Sequence, residues 1–527
     1  MNLINKVTVE KDKKFSESCL WSLQRKYFDD EGVHAWVGQV PYYVSSNPYI
    51  AHCYANIIVS FVADYILKNK DAIQHPFYIL ELGTGSGKFS FYLVKFLCEL
   101  FKSLGLHEVK FRYVMTDFTK SNLRFWESHA MLKPYIDSKI LDFAIYNLEQ
   151  DEEIHLVNEN VALSPEILKN PLIVCANYIF DTISHDAFKF ANGVVEESLV
   201  NLTTEAVNMR GDSPIDWEKV TVDFTSRPFG DRYYEDKHFD AVLAEYIPLL
   251  TESHILMPMG AMKALRHLMK LSNDRLLLLS SDKGYAHIEE LDRLGPPLLT
   301  FHGSFSMMVN FDAIGRYFKV KGGDSVIQSP RRGLKTCVFG LGFDFDDMWR
   351  MNTAIEAYVQ GVGPCDYFNY HRYVSDSLQG NIDLGFLASH LNFSHWDPYV
   401  FNKVAAKVNE KINEAEEMVR QYFIHGMKKI ANNFYYMPDS VDYLFDIGLF
   451  FHTLKDYENA IFYYQESLQY FGDQFNSHYN LGLCNFYVDN LEQALSHFEK
   501  SIECDSSSKE AKEWLEYVNQ TLDKKQG

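Results

Sequence analysis

Ile79-Leu80-Glu81-Leu82-Gly83-Thr84-Gly85-Ser86-Gly87-Lys88 reads as a short apolar strand that runs through an acidic residue into three spaced glycines. Phe89 to Leu104 follows with helical periodicity, so the turn opens directly into a helix. Glycines at 83, 85 and 87 permit a tight turn and the close approach of a ligand to the backbone. The free amides of the helix N-terminus supply hydrogen-bond donors beside it. After that helix, Phe111 to Met115 predicts a second strand, which completes a strand-helix-strand unit with a right-handed crossover.

Further strands are expected at Lys139 to Tyr146, Leu172 to Ala176, Arg275 to Ser280 and Leu334 to Leu341, most of them separated by helical patterns. Such alternation indicates an α/β domain of Rossmann-like type with a mostly parallel sheet. Residues 1–75 are expected to form a helical cap and residues 76–345 the α/β domain. An insertion at about 188–258 interrupts that domain, with Ala191-Asn192-Gly193 as a hairpin turn and a charged, aromatic stretch from Asp212 to Asp240. Residues 346–437 read as a helical connector that could hold a degenerate repeat, and residues 438–527 as repeats with a capping helix.

The C-terminal repeat is periodic. Gly448 and Gly482, Glu458 and Glu492, Ala460 and Ala494, Tyr464 and Phe498, and Ser467 and Ser501 all stand 34 residues apart, the period of the tetratricopeptide repeat. A glycine and an alanine 12 residues apart suit two antiparallel helices meeting through small side chains, with the aromatic four residues later filling the groove. Such arrays present a concave face to a peptide or protein partner. A helical bundle that only buttresses the first domain is the alternative.

Composition narrows the partners. Fifty Lys and Arg against 71 Asp and Glu leave a net charge of −21, which disfavours nucleic acid and anionic membrane. No apolar stretch is expected to reach the length of a membrane span, and the N-terminus lacks a signal-peptide core. The eight cysteines show no C-x-x-C pair and read as thiols in a reducing compartment, so a cytoplasmic protein is expected. No histidine lies in a metal-binding pattern, and no metal is expected. Ser86 and Ser281 lack the G-x-S-x-G elbow of a hydrolase.

The spacing of the glycine turn identifies its ligand class. G-x-G-x-G differs from the dinucleotide G-x-G-x-x-G, and Phe89 after Lys88 excludes the phosphate loop G-x-x-x-x-G-K-[ST]. With Glu81 before the turn to meet an amino-acid ammonium group, the pattern points to S-adenosylmethionine as cofactor and S-adenosylhomocysteine as product. The expected cofactor residues are Glu81, Gly83, Thr84, Gly85 and Gly87, with Asp117 at the end of the second strand accepting the ribose hydroxyls. Asp142 and Phe143 are expected beside the adenine, although a solvated acid beside a core phenylalanine fits them nearly as well. At the fourth strand, Asn177 could offer its carbonyl to an incoming amine as well as touch the cofactor, and Tyr178 could shape the transfer path. Asp181 is a base or, equally, a helix cap. Asn177, Tyr178 and Asp181 are the catalytic candidates.

These motifs resemble those of the MidA-like S-adenosylmethionine-dependent methyltransferases, which include the mitochondrial complex I assembly methyltransferase. The resemblance spans roughly residues 30–345 and rests on Glu81 to Gly87, on Val40 to Pro48, and on Ala176-Asn177 through Asp181-Thr182-Ile183. Weaker marks are Asp282-Lys283-Gly284-Tyr285 and His302-Gly303 leading to Asn310-Phe311. It implies a class I methyltransferase fold and places Ser46 on the cofactor side. Tyr178 departs from the family, which carries Glu after the motif asparagine, and the repeats lie outside the family's plan. The expected function is methyl transfer to a protein or peptide acceptor recruited in part by the repeats, with a homodimer open. The alternatives are a catalytically silent cofactor-binding scaffold and a small-molecule methyltransferase.

Overall fold

The computed structural model of the chain describes residues 6–36, 43–205, 216–230, 232–302, 304–331, 333–378, 382–438 and 440–526. Val40, Pro41 and Tyr42, Asp212 to Pro214, and Gly303 lie outside the described residues. The chain divides into two units, Met1–Asn369 and Tyr370–Gly527.

In the first unit a strand, β1 (Lys6–Lys14), precedes helix α1 (Cys19–Glu31) and the long helix α2 (Pro48–Lys68). The main sheet begins with β2 (Phe77–Leu82), followed by α3 (Lys88–Ser103), β3 (Phe111–Asp117), α4 (Lys120–Ser128), β4 (Leu141–Ile145) and β5 (Leu172–Asn177). An antiparallel set follows: β6 (Asp186–Ala191), β7 (Val194–Glu205), β8 (Thr221–Pro228) and β9 (Glu252–Met257). The chain then returns to the main sheet through α5 (Met259–Leu271), β10 (Leu276–Tyr285), α6 (Phe311–Val320), β11 (Asp324–Ile327) and β12 (Leu334–Leu341).

The main sheet has the order β11-β12-β10-β5-β2-β3-β4, with Val309–Asn310 pairing beside β10. From β10 to β4 all neighbours are parallel, whereas β12 runs antiparallel to both β10 and β11. All six residues of β2 are buried, as a strand covered on both faces requires. The chain builds the sheet outward from β2 in one direction through β3 and β4. It then crosses back to β5 and builds the other half. The strand order therefore reverses between β2 and β5, which opens a crevice at their C-terminal ends.

The N-terminal segment corrects an expectation. Residues 1–75 were expected to be helical, but β1 pairs antiparallel with β7, Lys6 opposite Glu205 and Lys14 opposite Leu199. Val7 and Val9 alternate with polar residues, a weak strand signal whose partner lies almost 200 residues away. Strands β1, β7, β6 and β9 form a second sheet, with β8 on the other side of β7. The expected hairpin turn holds β6 to β7, with Asn192 and Gly193 at φ 52° and 77°.

Helix α2 corrects a second expectation, since its 21 residues are long and apolar enough to cross a membrane by length and composition. Ile50, Tyr54, Ile57, Ile58, Phe61 and Val62 are fully buried within the unit, so this apolar face packs as core. The Asn47 side chain caps its start by accepting the Ile50 N–H at 3.1 Å, with Pro48 at the first helical position.

The second unit ends in five helices: α7 (Tyr443–Thr453), α8 (Tyr457–Phe471), α9 (Phe475–Tyr487), α10 (Leu491–Cys504) and α11 (Lys509–Gln526). The repeated glycines stand where the periodicity requires a small residue. A Cβ on Gly448 would lie 2.6 Å from Tyr464 Cδ1, and one on Gly482 would lie 2.8 Å from Phe498 Cε1. Ala460 and Ala494 are fully buried within the same helix pairs. Gly482→Val is expected to destabilise this unit by roughly 1–3 kcal/mol through overpacking, read as an earlier transition in urea. An unchanged transition would sink the close-packing account.

Candidate functional site

Gly83 to Gly87 connect β2 to α3 at the strand-order reversal, and all three glycines are left-handed, with φ of 62°, 58° and 80°. Side chains at these φ values would be strained, which explains the residue type. A Cβ on Gly83 would also meet Ile179 Cδ1 at 2.6 Å, so the turn after β5 packs directly on the glycine loop.

Asp117, at the end of β3, holds that loop in place. Its Oδ2 accepts the Gly85 N–H at 3.1 Å and Asn122 Nδ2 at 3.1 Å, while Oδ1 accepts the Thr119 N–H at 2.9 Å. A carboxylate has about four acceptor positions, so one remains for a ligand hydroxyl while the loop stays latched. Two ribose hydroxyls, as the sequence suggested, would require one of these bonds to open. Burial raises the Asp117 carboxyl above its ordinary range, and these hydrogen bonds oppose the rise. On the other side of the loop, Trp126 donates its indole N–H to the Gly85 carbonyl at 3.0 Å.

A cleft of about 1010 Å³, its open mouth included, lies at this end of the sheet. Gly83, Asp117, Tyr178 and Asp181 line it, four of the residues expected from sequence. Helix α1 contributes Gln24, Arg25 and Phe28, and the segments after β3 and β4 contribute Phe118 and Tyr146 to Glu149. Several polar atoms on this lining have no hydrogen-bond partner among the described residues: Gln24 Oε1, Thr119 Oγ1, Asn122 Oδ1, Tyr146 OH and Asp181 Oδ1. Buried polar atoms are costly when unpaired, so their convergence on one cleft suits a polar ligand.

Other expected residues are placed elsewhere. Glu81 lies within β2 rather than beyond its end, and its carboxylate accepts the hydroxyls of Ser90 and of Tyr113, the latter at 2.8 Å. It is not among the cleft-lining residues. Burial pushes its carboxyl up to about 7 against the pull of those hydroxyls. A group raised in this way contributes stability at low pH that is lost as pH rises from about 4.5 through 7. Glu81→Gln is accordingly expected to remove part of the decline in urea stability between pH 5 and 8. An identical decline in the variant would refute that account.

Asp142 and Phe143 sit near the start of β4, away from the cleft. Asp142 accepts the backbone N–H groups of Phe143, Asn158 and Glu159 at 2.7, 2.9 and 3.0 Å, and Phe143 is core. The strand ends at Ile145, so Tyr146 and Asn147 reach the cleft instead. The expected strand, Lys139 to Tyr146, ends within one residue of the observed one, so what was misplaced was the choice of Asp142 and Phe143 inside the strand instead of the residues after it. Thr84 is buried, with Oγ1 accepting the Thr116 N–H at 3.1 Å, which ties the glycine loop to β3. Ser46 sits in the turn before α2 and is not among the cleft-lining residues.

Asn177 closes β5. Its Oδ1 accepts Tyr54 OH at 2.7 Å and the Ser281 N–H at 3.1 Å, so the carbonyl is committed inside the protein. Its Nδ2 is buried and unpartnered. Tyr178 follows at φ 51°, a left-handed conformation unusual for a bulky residue and typical of a functional turn. Asp181 is 2% exposed, and burial raises its carboxyl above the ordinary range, opposed by the nearby Lys283 ammonium. Sequence reasoning missed Arg25 and Glu149, whose ion pair of 2.7 Å bridges α1 to the segment after β4 at the cleft. Nothing local marks a contact that spans 124 residues.

Residues 441–473 match the tetratricopeptide repeat family. No curated protein matches the chain. Among solved structures, the chain is similar to a COG1565 superfamily member from Burkholderia thailandensis, named a "likely methyl transferase" and bound to S-adenosyl-homocysteine. The identity is 14% over 62% of this chain and 94% of that one, with a TM-score of 0.36. A second COG1565 superfamily structure from Burkholderia thailandensis has 14% identity over 62% and 95%, with a TM-score of 0.33. The Cut9–Hcn1 hetero-tetramer of the APC/C has 15% identity over 33% and 34%, with a TM-score of 0.22. All three TM-scores fall below 0.5, so the site stands on the chain's own residues, and the chain as shown is a mixed α/β unit followed by a helical unit carrying a tetratricopeptide repeat.

Proposed function

We propose that the first unit is a class I S-adenosylmethionine-dependent methyltransferase domain whose acceptor is a protein or peptide. The observation that carries this reading is the glycine loop at the strand-order reversal, three left-handed glycines latched by Asp117 beside a cleft lined with unpaired polar atoms. Ligands of open α/β sheets bind at such a reversal. The parallel strands closed by the antiparallel β12 also suit a methyltransferase sheet. The residues present fit the cofactor: the loop backbone would hold its amino-acid end, Asp117 keeps one acceptor that would take a ribose hydroxyl, and Phe118, Tyr146 and Asn147 would give the base an aromatic, polar wall.

When bound, S-adenosylmethionine supplies an activated methyl group for in-line displacement. What the chain adds is position: Ile179 packs the turn after β5 against the glycine loop, and α1 lines the cleft with Gln24, Arg25 and Phe28. The protein acceptor is supported by the repeat at 441–473, a module suited to holding a polypeptide. A cytoplasmic location remains part of the proposal, supported by cysteines such as Cys53, Cys175 and Cys337 that are buried as free thiols.

Calorimetric titration of the purified chain with S-adenosylmethionine and S-adenosylhomocysteine, with NAD as control, tests the reading. Micromolar affinity for the first two alone is expected. No binding of either would overturn it and leave an interaction protein that holds no such cofactor.

A further inference from the structure

Two buried carboxylic acids from different elements lie together, one of them, Asp181, lining the cleft. Asp181 stands in the turn after β5, and Asp282 lies within β10, whose parallel register with β5 sets Ser281 opposite Asn177. They are 2% and 0% exposed. Asp282 Oδ2 accepts the Asp181 backbone N–H at 3.2 Å and Oδ1 accepts the Lys283 N–H at 2.8 Å, so the Asp282 carboxyl is held against the turn that carries Asp181. Two carboxyl groups buried side by side in this way do not both ionise at neutral pH.

The surroundings offer only partial compensation. Lys283 lines the cleft and favours an ionised Asp181, while the Tyr178 phenol lies on the same side as both acids. Across from them, Met307 donates its N–H to the Asp181 carbonyl at 3.2 Å. His185 bonds the Phe180 carbonyl at 2.8 Å and is held neutral by burial. Farther along the lining, Arg25 is paired with Glu149, and Asp117 is held by the glycine loop. Asp181 Oδ1 is buried and has no hydrogen-bond partner.

We propose that Asp181 and Asp282 share a single proton at neutral pH, and that Asp181, through Oδ1, receives the proton released by the methyl acceptor. This rests on the reading of the cleft as a methyl-transfer site. In the step, the acceptor's N–H or O–H bond breaks and its electron pair forms the new bond to carbon. The carbon–sulfur bond breaks with its electrons left on sulfur, which loses its positive charge, and the released proton ends on Asp181. Asp282 is a positioning residue: it holds Asp181 through the backbone and keeps the pair at one negative charge.

Infrared spectroscopy of the intact chain in heavy water at pH 6.5, with and without ¹³C-labelled aspartate, tests the shared proton. A protonated-carboxyl band that shifts with the aspartate label, fades above neutral pH and is lost in Asp282→Asn is expected. No aspartate band at pH 6.5, or one unchanged in Asp282→Asn, would overturn the proposal. Should that variant fail to fold, Asp181→Asn takes its place with the same loss of the band expected, because Asp117 is a further buried aspartate whose carboxyl burial raises. The place of the pair on the transfer path is read by calorimetry at pH 7 in two buffers of different ionisation enthalpy. S-Adenosylmethionine, cationic at sulfur, is expected to expel part of a proton on binding, and S-adenosylhomocysteine is not. Equal proton release for both ligands would remove Asp181 from the path. Failure of both ligands to bind while the band persists would instead overturn the cofactor reading and leave the shared proton standing.

Discussion

Gly85→Asp is expected to abolish S-adenosylmethionine binding, a loss of at least 100-fold in affinity, while the helical unit stays folded. Gly85 has φ 58°, where any Cβ costs on the order of 1–2 kcal/mol, and its N–H donates to Asp117 at 3.1 Å. An aspartate here adds strain and sets a second carboxylate beside one that burial already pushes towards the neutral form. Titration with S-adenosylmethionine and far-ultraviolet thermal melts would check both halves. Retained affinity in a folded variant would remove the glycine loop from the binding site.

The second large effect is expected at Asp117. Asp117→Ala removes the acceptor left for a ribose hydroxyl and also the three bonds that hold Gly85, Thr119 and Asn122 in register. Hydrogen bonds to a charged group contribute about 1.5–3 kcal/mol each, so a loss of about 2–4 kcal/mol is expected, or roughly 30- to 1,000-fold in Kd. Asp117→Asn should retain a larger share, because its carbonyl can still accept the Gly85 N–H. Adenosine serves as the discriminating probe: if Asp117→Ala weakens the full cofactor but leaves adenosine untouched, the ribose role is wrong and the residue acts only through the loop.

The local part of the site was legible because its signals are local. Three glycines within five residues can be read without knowing what they touch, since φ near +60° selects glycine wherever it occurs. The 34-residue period was legible for the same reason, as each repeat meets its neighbour through the same small and aromatic positions, Gly448 with Tyr464 and Gly482 with Phe498. Side-chain direction was harder to read. Glu81 stands two residues before the loop but inside the strand, where pleating turns it to Ser90 and Tyr113. Asp142 was chosen by its neighbour Phe143, yet β4 continues to Ile145 and delivers Tyr146 and Asn147 to the cleft.

By itself, then, the amino-acid order determined the strand-loop-helix unit at Phe77 to Ser103, the alternation that yields a parallel sheet, the hairpin at Asn192-Gly193 and the C-terminal repeat. Each depends on backbone conformation or on periodic contacts within a few tens of residues. Only the tertiary structure decided that β1 joins β7, that the apolar α2 is core, that Arg25 meets Glu149, and that Asp181 and Asp282 come together 101 residues apart. Such pairings carry no local signature, because the contact energy is realised only after the intervening chain has folded and its loop-closure entropy has been met.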